Sequence, residues 1–184
     1  MFTLLAHELD LASVDLDLLL LQAQQRIRAW AADETSFADL ISHAFGATER
    51  PPARHLREDL LNGRFSIGVQ ILSAQQLQGI RGAYTSSDPN GEERIYLNAG
   101  WLASATAAEA EAVLLEEFGH AIDQRLHGAV DTPGDEGDIF SSLMLFQAPK
   151  QEAFIENDQK SITLNGQQID LEASSGKSYW VKNH

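Results

Sequence analysis

Two glutamates and a histidine in one stretch of the sequence have the spacing of a metal-activating site. Glu116 and His120 are four residues apart, so on a helix they lie one turn apart on the same face and both can reach one ion. Glu117 lies about a quarter turn away. From there it can act as a general base on a water that the ion activates. These residue types at this spacing predict metal-assisted hydrolysis.

The element that must position these residues is a long helix from Thr106 to Leu126, in which Ala, Glu and Leu are prominent. Thr106 is the predicted N-cap, and Gly128 is predicted to end the helix. Gly119 lies in the middle of this helix, where glycine lowers helix stability by about 1 kcal/mol relative to alanine. Its presence there indicates a packing or site requirement. The polar side chains fall within one narrow stripe and the apolar ones cover the opposite face. The stripe consists of Glu116, His120, Asp123 and His127.

A solvated helix face is the alternative interpretation of the same residues, because an acidic pair followed by histidine is common on exposed helices. The neighbouring segments favour the functional interpretation. A predicted strand with Tyr96 and Asn98 precedes the helix, and a predicted second helix that bears acids, Glu136 to Leu143, follows it.

Composition limits the class of protein. The chain has 184 residues, of which 43% are hydrophobic, and this predicts one domain, 1–184, with its own core. A net charge of −14 argues against a nucleic-acid-binding surface. The chain has no cysteine, so disulfides and thiolate metal sites are excluded. No stretch approaches the roughly 18 uncharged apolar residues that a membrane span needs, and the apolar start is not typical of a signal peptide.

The remaining patterns divide the domain into three parts. Residues 1–50 form an N-terminal helical part, 65–145 the core that carries the metal site, and 160–172 a C-terminal hairpin with Asn165-Gly166 at its turn. The predicted helices are Asp15–Ala32, Ser36–Phe45 and a short one over Leu72–Ile80. The predicted strands are Phe65–Ile71 and a hairpin of Gly82–Thr85 with Arg94–Asn98, while Glu49–His55 is a proline-marked connection.

Glu116-Glu117-Phe118-Gly119-His120 resembles the His-Glu-x-x-His helix of the zincin metallopeptidases, with glutamate in place of the first histidine. The continuation through Asp123 is similar to the anthrax lethal factor-like branch. The resemblance implies an α+β, zincin-like fold. Its features would be a small mixed sheet with an edge strand beside the active-site helix, N-terminal helices and a C-terminal β-hairpin.

The resemblance also implies roles for individual residues. Glu117 matches the catalytic base, and Glu116, His120 and Glu136 match the three metal ligands. The implied cofactor is zinc, but carboxylates in two ligand positions neutralise a dication and favour harder ions such as manganese or calcium. The expected activity is hydrolysis of peptide bonds, with self-processing included. Asp123 would orient His120 or be a simple surface residue.

Substrate binding is expected to follow the zincin pattern, in which an edge strand pairs with an extended peptide. Arg94 to Asn98 resembles that strand. Tyr84 and Tyr96 are either donors to a developing oxyanion or ordinary strand aromatics, and the second interpretation is favoured. The predicted partner is thus a peptide or protein substrate, and the sequence does not indicate an oligomeric state.

Two alternatives stay open. The domain could be a catalytically degenerate zincin-like module with a calcium-binding, adhesion or secretion-associated role, to which the acidic loop from Asp131 to Asp138 would contribute. A di-iron helix bundle would use Glu117-Phe118-Gly119-His120 as one Glu-x-x-His copy, but no second copy is present.

The stretch from Gly82 to Leu143 is also similar to modules that precede hemolysin-type calcium-binding repeats in secreted bacterial proteins, although the repeats themselves are absent. This similarity implies an extracellular protein exported without an N-terminal signal peptide.

Overall fold

The computed structural model describes residues 1–5, 14–46, 50–128, 134–149 and 159–174. In this part of the chain, seven helices pack on a six-stranded mixed sheet, which confirms the α+β class. The helices are α1 Leu16–Ala32, α2 Glu34–Phe45, α3 Arg50–Leu61, α4 Ala74–Leu77, α5 Ala99–Leu102, α6 Ala107–His127 and α7 Glu136–Met144. The strands are β1 Phe2–Leu4, β2 Ile67–Leu72, β3 Gly82–Thr85, β4 Arg94–Asn98, β5 Gln159–Leu164 and β6 Gln167–Ser174.

The strands of the sheet follow the order β1-β2-β4-β3-β6-β5. The pairs β1–β2 and β2–β4 are parallel, and β3 runs antiparallel to both β4 and β6. β4 is therefore an interior strand, and the prediction that Arg94 to Asn98 forms a substrate-binding edge is wrong. Pairing with β6 also covers the outer side of β3. The physical reason is long-range: β2 pairs in parallel with the side of β4 that β3 leaves open.

Each face of the sheet has its own apolar cluster. The larger cluster packs the long helices on one face, with Phe118 of α6 and Phe140 of α7 at its centre. On the other face, α4 packs against the apolar side of the β5–β6 hairpin. Successive residues of a strand point to opposite faces, so β2, β3 and β4 each contribute to both clusters.

The N-terminal helices follow the predicted pattern with one exception. Asp15 caps α1 by accepting a hydrogen bond from the Leu18 N–H at 3.0 Å, and Gly46, with φ of 73°, follows α2. The proline-marked connection, in contrast, is helix α3, so that prediction is wrong. Pro51 and Pro52 lie in its first turn, where backbone N–H groups have no partner within the helix and proline is tolerated.

The C-terminal hairpin agrees with its predicted turn. Asn165 and Gly166 both have positive φ, 51° and 80°, as the favoured two-residue hairpin turn requires. The strands are longer than predicted, since β6 continues to Ser174. This extension carries β6 past α6, where the candidate site lies.

Candidate active site

Three of the four residues of the polar stripe of α6 are buried together with the adjacent Glu117, although all have ionisable side chains, and His127 is half-buried. Glu117 is 0% exposed, His120 2%, Glu116 6% and Asp123 8%. The structure therefore contradicts the interpretation of these residues as a solvated helix face. Buried ionisable groups are costly unless neighbouring groups compensate for the lost hydration, so the surroundings of each residue determine what the stripe can do.

Glu117 points from α6 toward the sheet. Its Oε1 accepts hydrogen bonds from the backbone N–H of Ser174, at 3.2 Å, and from the Ser174 hydroxyl. Gly82 of β3 makes room for it, because a Cβ atom at that position would lie 2.8 Å from Glu117 Oε1. The predicted general base is thus held between β3 and the last residue of β6.

His120 lies between β6 and the start of α7. Its Nδ1 is 3.0 Å from Oε2 of Glu172, and its Nε2 is 3.8 Å from Oδ1 of Asp135. A Cβ atom on Gly137 would lie only 2.5 Å from Nε2, so the glycine leaves the space that the ring occupies. Both edges of the imidazole therefore face carboxylates.

Glu116 lies in a strongly perturbed environment. Burial raises the pKa of its carboxyl well above the ordinary value, the negative charges of Glu117, Asp135 and Asp138 raise it further, and His120 acts in the opposite direction. A neutral carboxyl or a bound cation would relieve this crowding of negative charge.

The first turn of α7 brings more acids to the cluster. Asp135 is the N-cap and accepts from the Asp138 N–H at 2.8 Å, and Glu136 follows it as a buried first residue. Acids at a helix start are favoured by the helix dipole. α7 approaches α6 closely because both helices have glycine at the crossing: a Cβ on Gly119 would lie 2.8 Å from the Gly137 Cα. This explains the mid-helix glycine.

The predicted ligand set is only partly assembled. Glu116, Glu117, His120 and Asp135 form one buried cluster, and Glu136 lies beside it in the first turn of α7. Within the described ranges, no three His, Asp or Glu side chains are arranged to hold one ion. By chemistry the donors fit a divalent cation, since they offer several carboxylate oxygens and one imidazole within one buried cluster.

Sequence reasoning missed Glu172 and Ser174, the residues of β6 that contact the α6 stripe. They alternate along one strand and face the same side of the sheet, but the sequence does not indicate that β6 pairs with β3. Glu172 also lines a polar cleft of about 590 Å³, together with Tyr84, Gln124 and Ser161. The cleft connects the surface of the hairpin with a residue that contacts His120.

The two tyrosines proposed as oxyanion donors are strand aromatics. Tyr84 donates its hydroxyl hydrogen bond to Glu93 at 2.7 Å, and burial together with the Glu93 charge raises its pKa. Tyr96 points to the opposite side of the sheet, into the second apolar cluster. The favoured interpretation is confirmed for both.

Asp123 pairs with His127 at the end of the stripe, with its Oδ1 2.7 Å from Nδ1 of that histidine. Of the other histidines, His43 contacts the Asp39 carbonyl and His55 lies on α3, while His7 and His184 fall outside the described residues.

The acidic loop from Asp131 to Asp138 is described only from residue 134 onward.

Comparison of the chain with protein-family models, curated proteins and solved structures finds no match. A search of the described helices for membrane-spanning length and hydropathy finds no candidate.

Proposed function

We propose that this domain is a zincin-like, metal-dependent hydrolase of peptide bonds. The observation that carries the proposal is that Glu116, Glu117 and His120 of one helix are buried against an acidic helix start. Burial of an acidic cluster with one histidine costs folding free energy. A cluster that the fold keeps at this cost is a candidate functional site. Perturbed ionisable groups concentrate at functional sites for this reason.

In the proposed site, Glu116, His120 and Glu136 would hold a divalent ion, and the ion would act as a Lewis acid that polarises a water molecule and the peptide carbonyl. Glu117 accepts a proton from the attacking water and returns it to the leaving nitrogen. Ser174 fixes the direction of the Glu117 carboxylate through its two hydrogen bonds. A set of two carboxylates and one imidazole suits zinc, and also the harder ions manganese and calcium.

The proposed substrate is a peptide or protein segment. Since β4 is interior and β6 occupies the side of β3, the expected place for a substrate is the polar cleft beside Glu172. This replaces the strand pairing that the zincin resemblance implied for Arg94 to Asn98.

Metal content and cleavage test the proposal. The purified protein is assayed for bound metal, titrated with Zn²⁺, Mn²⁺ and Ca²⁺, and incubated with a peptide library whose products are identified by mass spectrometry. Self-cleavage is assayed in the same samples. Glu117→Gln is expected to bind metal as the wild type does and to lose cleavage by at least about 100-fold.

The matched control is Glu111→Gln, the same change on the same helix. Glu111 forms an ion pair with Arg26 at 2.8 Å, outside the cluster, so cleavage should be unchanged. If the wild type binds none of the three ions and His120→Gln changes only the unfolding free energy, the hydrolase proposal is wrong.

A second candidate function is a catalytically degenerate module that binds calcium or serves in adhesion or secretion. It is favoured by one observation: Glu117, the proposed base, is fully buried and hydrogen-bonded to Ser174. This candidate predicts ion binding with no cleavage in wild type and no difference between the wild type and Glu117→Gln.

We also propose an extracellular location, which rests on the resemblance to modules of secreted proteins. Fractionation of cells that express the full-length protein, with detection in the medium, tests it. Retention of all the protein inside the cells would contradict it.

A further inference from the structure

Strand β6 brings two polar side chains to the α6 side of the sheet. Its register with β3 pairs Glu172 with Tyr84 and Ser174 with Gly82, so Glu172 and Ser174 lie on the same face, two residues apart. Both side chains contact helix α6: Ser174 contacts Glu117, and Glu172 contacts His120. One strand from the distant C-terminal hairpin thus contacts two of the proposed site residues.

The contact between Glu172 and His120 involves one particular ring nitrogen. Glu172 Oε2 lies 3.0 Å from Nδ1, which is within hydrogen-bonding distance when Nδ1 carries the proton. The ring is 2% exposed, so water cannot replace this carboxylate easily. A histidine whose Nδ1 donates to a carboxylate keeps the lone pair on Nε2.

The opposite edge of the ring faces the start of α7. Nε2 lies 3.8 Å from Asp135 Oδ1 and occupies the space that the missing Cβ of Gly137 leaves. Glu172 on one side and Gly137 on the other therefore orient the ring, with Nε2 toward the acidic cluster.

We infer that Glu172 is a positioning residue of the site: it holds His120 as the Nδ1–H tautomer and presents the Nε2 lone pair to the acidic cluster. The inference about the tautomer stands on geometry, and its consequence for ion binding rests on the proposed function. Carboxylates that orient ligand histidines in this way contribute roughly 10- to 100-fold to metal affinity.

The anchoring of the hairpin supports a permanent role for Glu172. The opposite face of β5 and β6 is apolar and belongs to the second cluster, which it shares with α4. Ile162, Ile169 and Leu171 are each no more than 6% exposed. A strand packed this firmly keeps Glu172 beside His120, whereas a loosely attached strand would not.

The tautomer of His120 is determined by ¹H–¹⁵N NMR of the imidazole rings in metal-free protein at mildly alkaline pH. The His120 signals are identified because they are lost in His120→Gln. Wild type is expected to show the Nδ1–H form. Glu172→Ala is expected to shift the ring toward the Nε2–H form, and Glu172→Gln, whose amide oxygen still accepts a hydrogen bond, to retain most of the Nδ1–H form.

Asp170→Asn is the matched control, because Asp170 lies on the same face of the same strand and is exposed. It should leave the His120 tautomer unchanged. If Glu172→Ala unfolds cooperatively on heating, which shows that it is folded, and its His120 tautomer is unchanged, the inference is wrong.

Calorimetric titration with Zn²⁺ or Mn²⁺ separates this inference from the proposed function. A 10- to 100-fold weaker affinity in Glu172→Ala supports both. If the tautomer shifts but wild type binds no ion, Glu172 remains the residue that orients His120 and the hydrolase proposal fails.

Discussion

Glu116 is a buried carboxyl within the acidic cluster, and its surroundings affect how the stability of the protein depends on pH. Its carboxyl is buried among Glu117, Asp135 and Asp138, and its pKa is raised. In the absence of an ion, the folded protein therefore holds a proton on Glu116 more tightly than the unfolded chain does. This couples folding to pH.

We expect the metal-free protein to lose stability as pH rises above the ordinary pKa of 4.5 toward the raised pKa of Glu116. In that range the folded state keeps a proton that the unfolded state releases, so the free energy of unfolding falls with rising pH. Glu116→Gln removes this dependence and should stabilise the protein near neutral pH by about 1–3 kcal/mol. Urea unfolding across this pH range in the presence of a chelator measures it.

Glu111→Gln is the control for this prediction. It removes the ion pair with Arg26 on the same helix and should lower stability by less than about 1 kcal/mol. If Glu116→Gln lowers stability at neutral pH in the same way, the acidic cluster does not destabilise the metal-free protein.

Ser174 is the second residue whose contribution can be measured alone. Ser174→Ala removes the hydroxyl that donates to the buried Glu117 and leaves the backbone donor. We expect a loss of about 1–3 kcal/mol in unfolding free energy, because a buried acceptor loses a partner. Ser161→Ala on the exposed face of β5 should change stability by less than about 0.5 kcal/mol, and an equal loss in both variants would contradict this account.

At the scale of elements, the close crossing of α6 and α7 gives the cluster its shape. Gly119 and Gly137 allow the two backbones to meet, and Ser141 of α7 donates a hydrogen bond to the Ala112 carbonyl at 2.7 Å. This contact fixes α7 along α6, which sets the position of Asp135 and Glu136 relative to His120.

Gly119→Ala tests whether the close crossing of α6 and α7 is rigid, because a rigid crossing predicts a loss of stability where helix propensity alone predicts a gain. Helix propensity alone would stabilise α6 by about 1 kcal/mol. The added Cβ, however, would lie 2.8 Å from the Gly137 Cα, and a backbone atom cannot move away cheaply. We expect a net loss of about 1–3 kcal/mol in denaturant unfolding. A gain in stability would show that α7 can shift without cost.

The sequence predicts those elements whose signals are local. The capping residue Thr106, the stop at Gly128 and the Asn165-Gly166 turn each act within a few residues, and the structure has α6 and the hairpin where they indicate. β1 was missed because three residues carry no usable pattern. The helix α3 was taken for a connection because proline in a first turn resembles proline in a loop.

The candidate site was predictable only where its residues share one helix. The spacing of Glu116 and His120 placed both in one stripe, and burial of that stripe agrees with a functional role. Glu172 and Ser174 could not be predicted, because their place depends on the pairing of β6 with β3. The parallel pairing of β2 with β4, which is also long-range, overturned the edge-strand role of β4. Long-range strand order is the information that the local pattern lacks.

At the scale of the whole molecule, the net charge of −14 acts in two separable ways. Acidic side chains on the surface repel one another, and any dissolved salt screens this repulsion. The buried cluster is different, because screening by monovalent ions reaches it poorly, and protonation or a bound cation would be needed to reduce its negative charge.

We therefore expect sodium chloride to raise the thermal midpoint of wild type and His120→Gln equally. A divalent ion that occupies the site should instead stabilise wild type alone, by about 2.7 kcal/mol at a free concentration of 100 Kd. Scanning calorimetry at matched ionic strength distinguishes the two effects. Equal stabilisation of both proteins by the divalent ion would mean that it acts on the surface.

The hydrogen bonds between Glu117 and Ser174 join residues that are 57 positions apart in the chain. During translation, α6 and α7 are synthesised before β6. Closing so long a loop is slow compared with forming a helix. Water therefore reaches the acids of α6 in the nascent protein until the hairpin docks, and the site matures among the last events of folding.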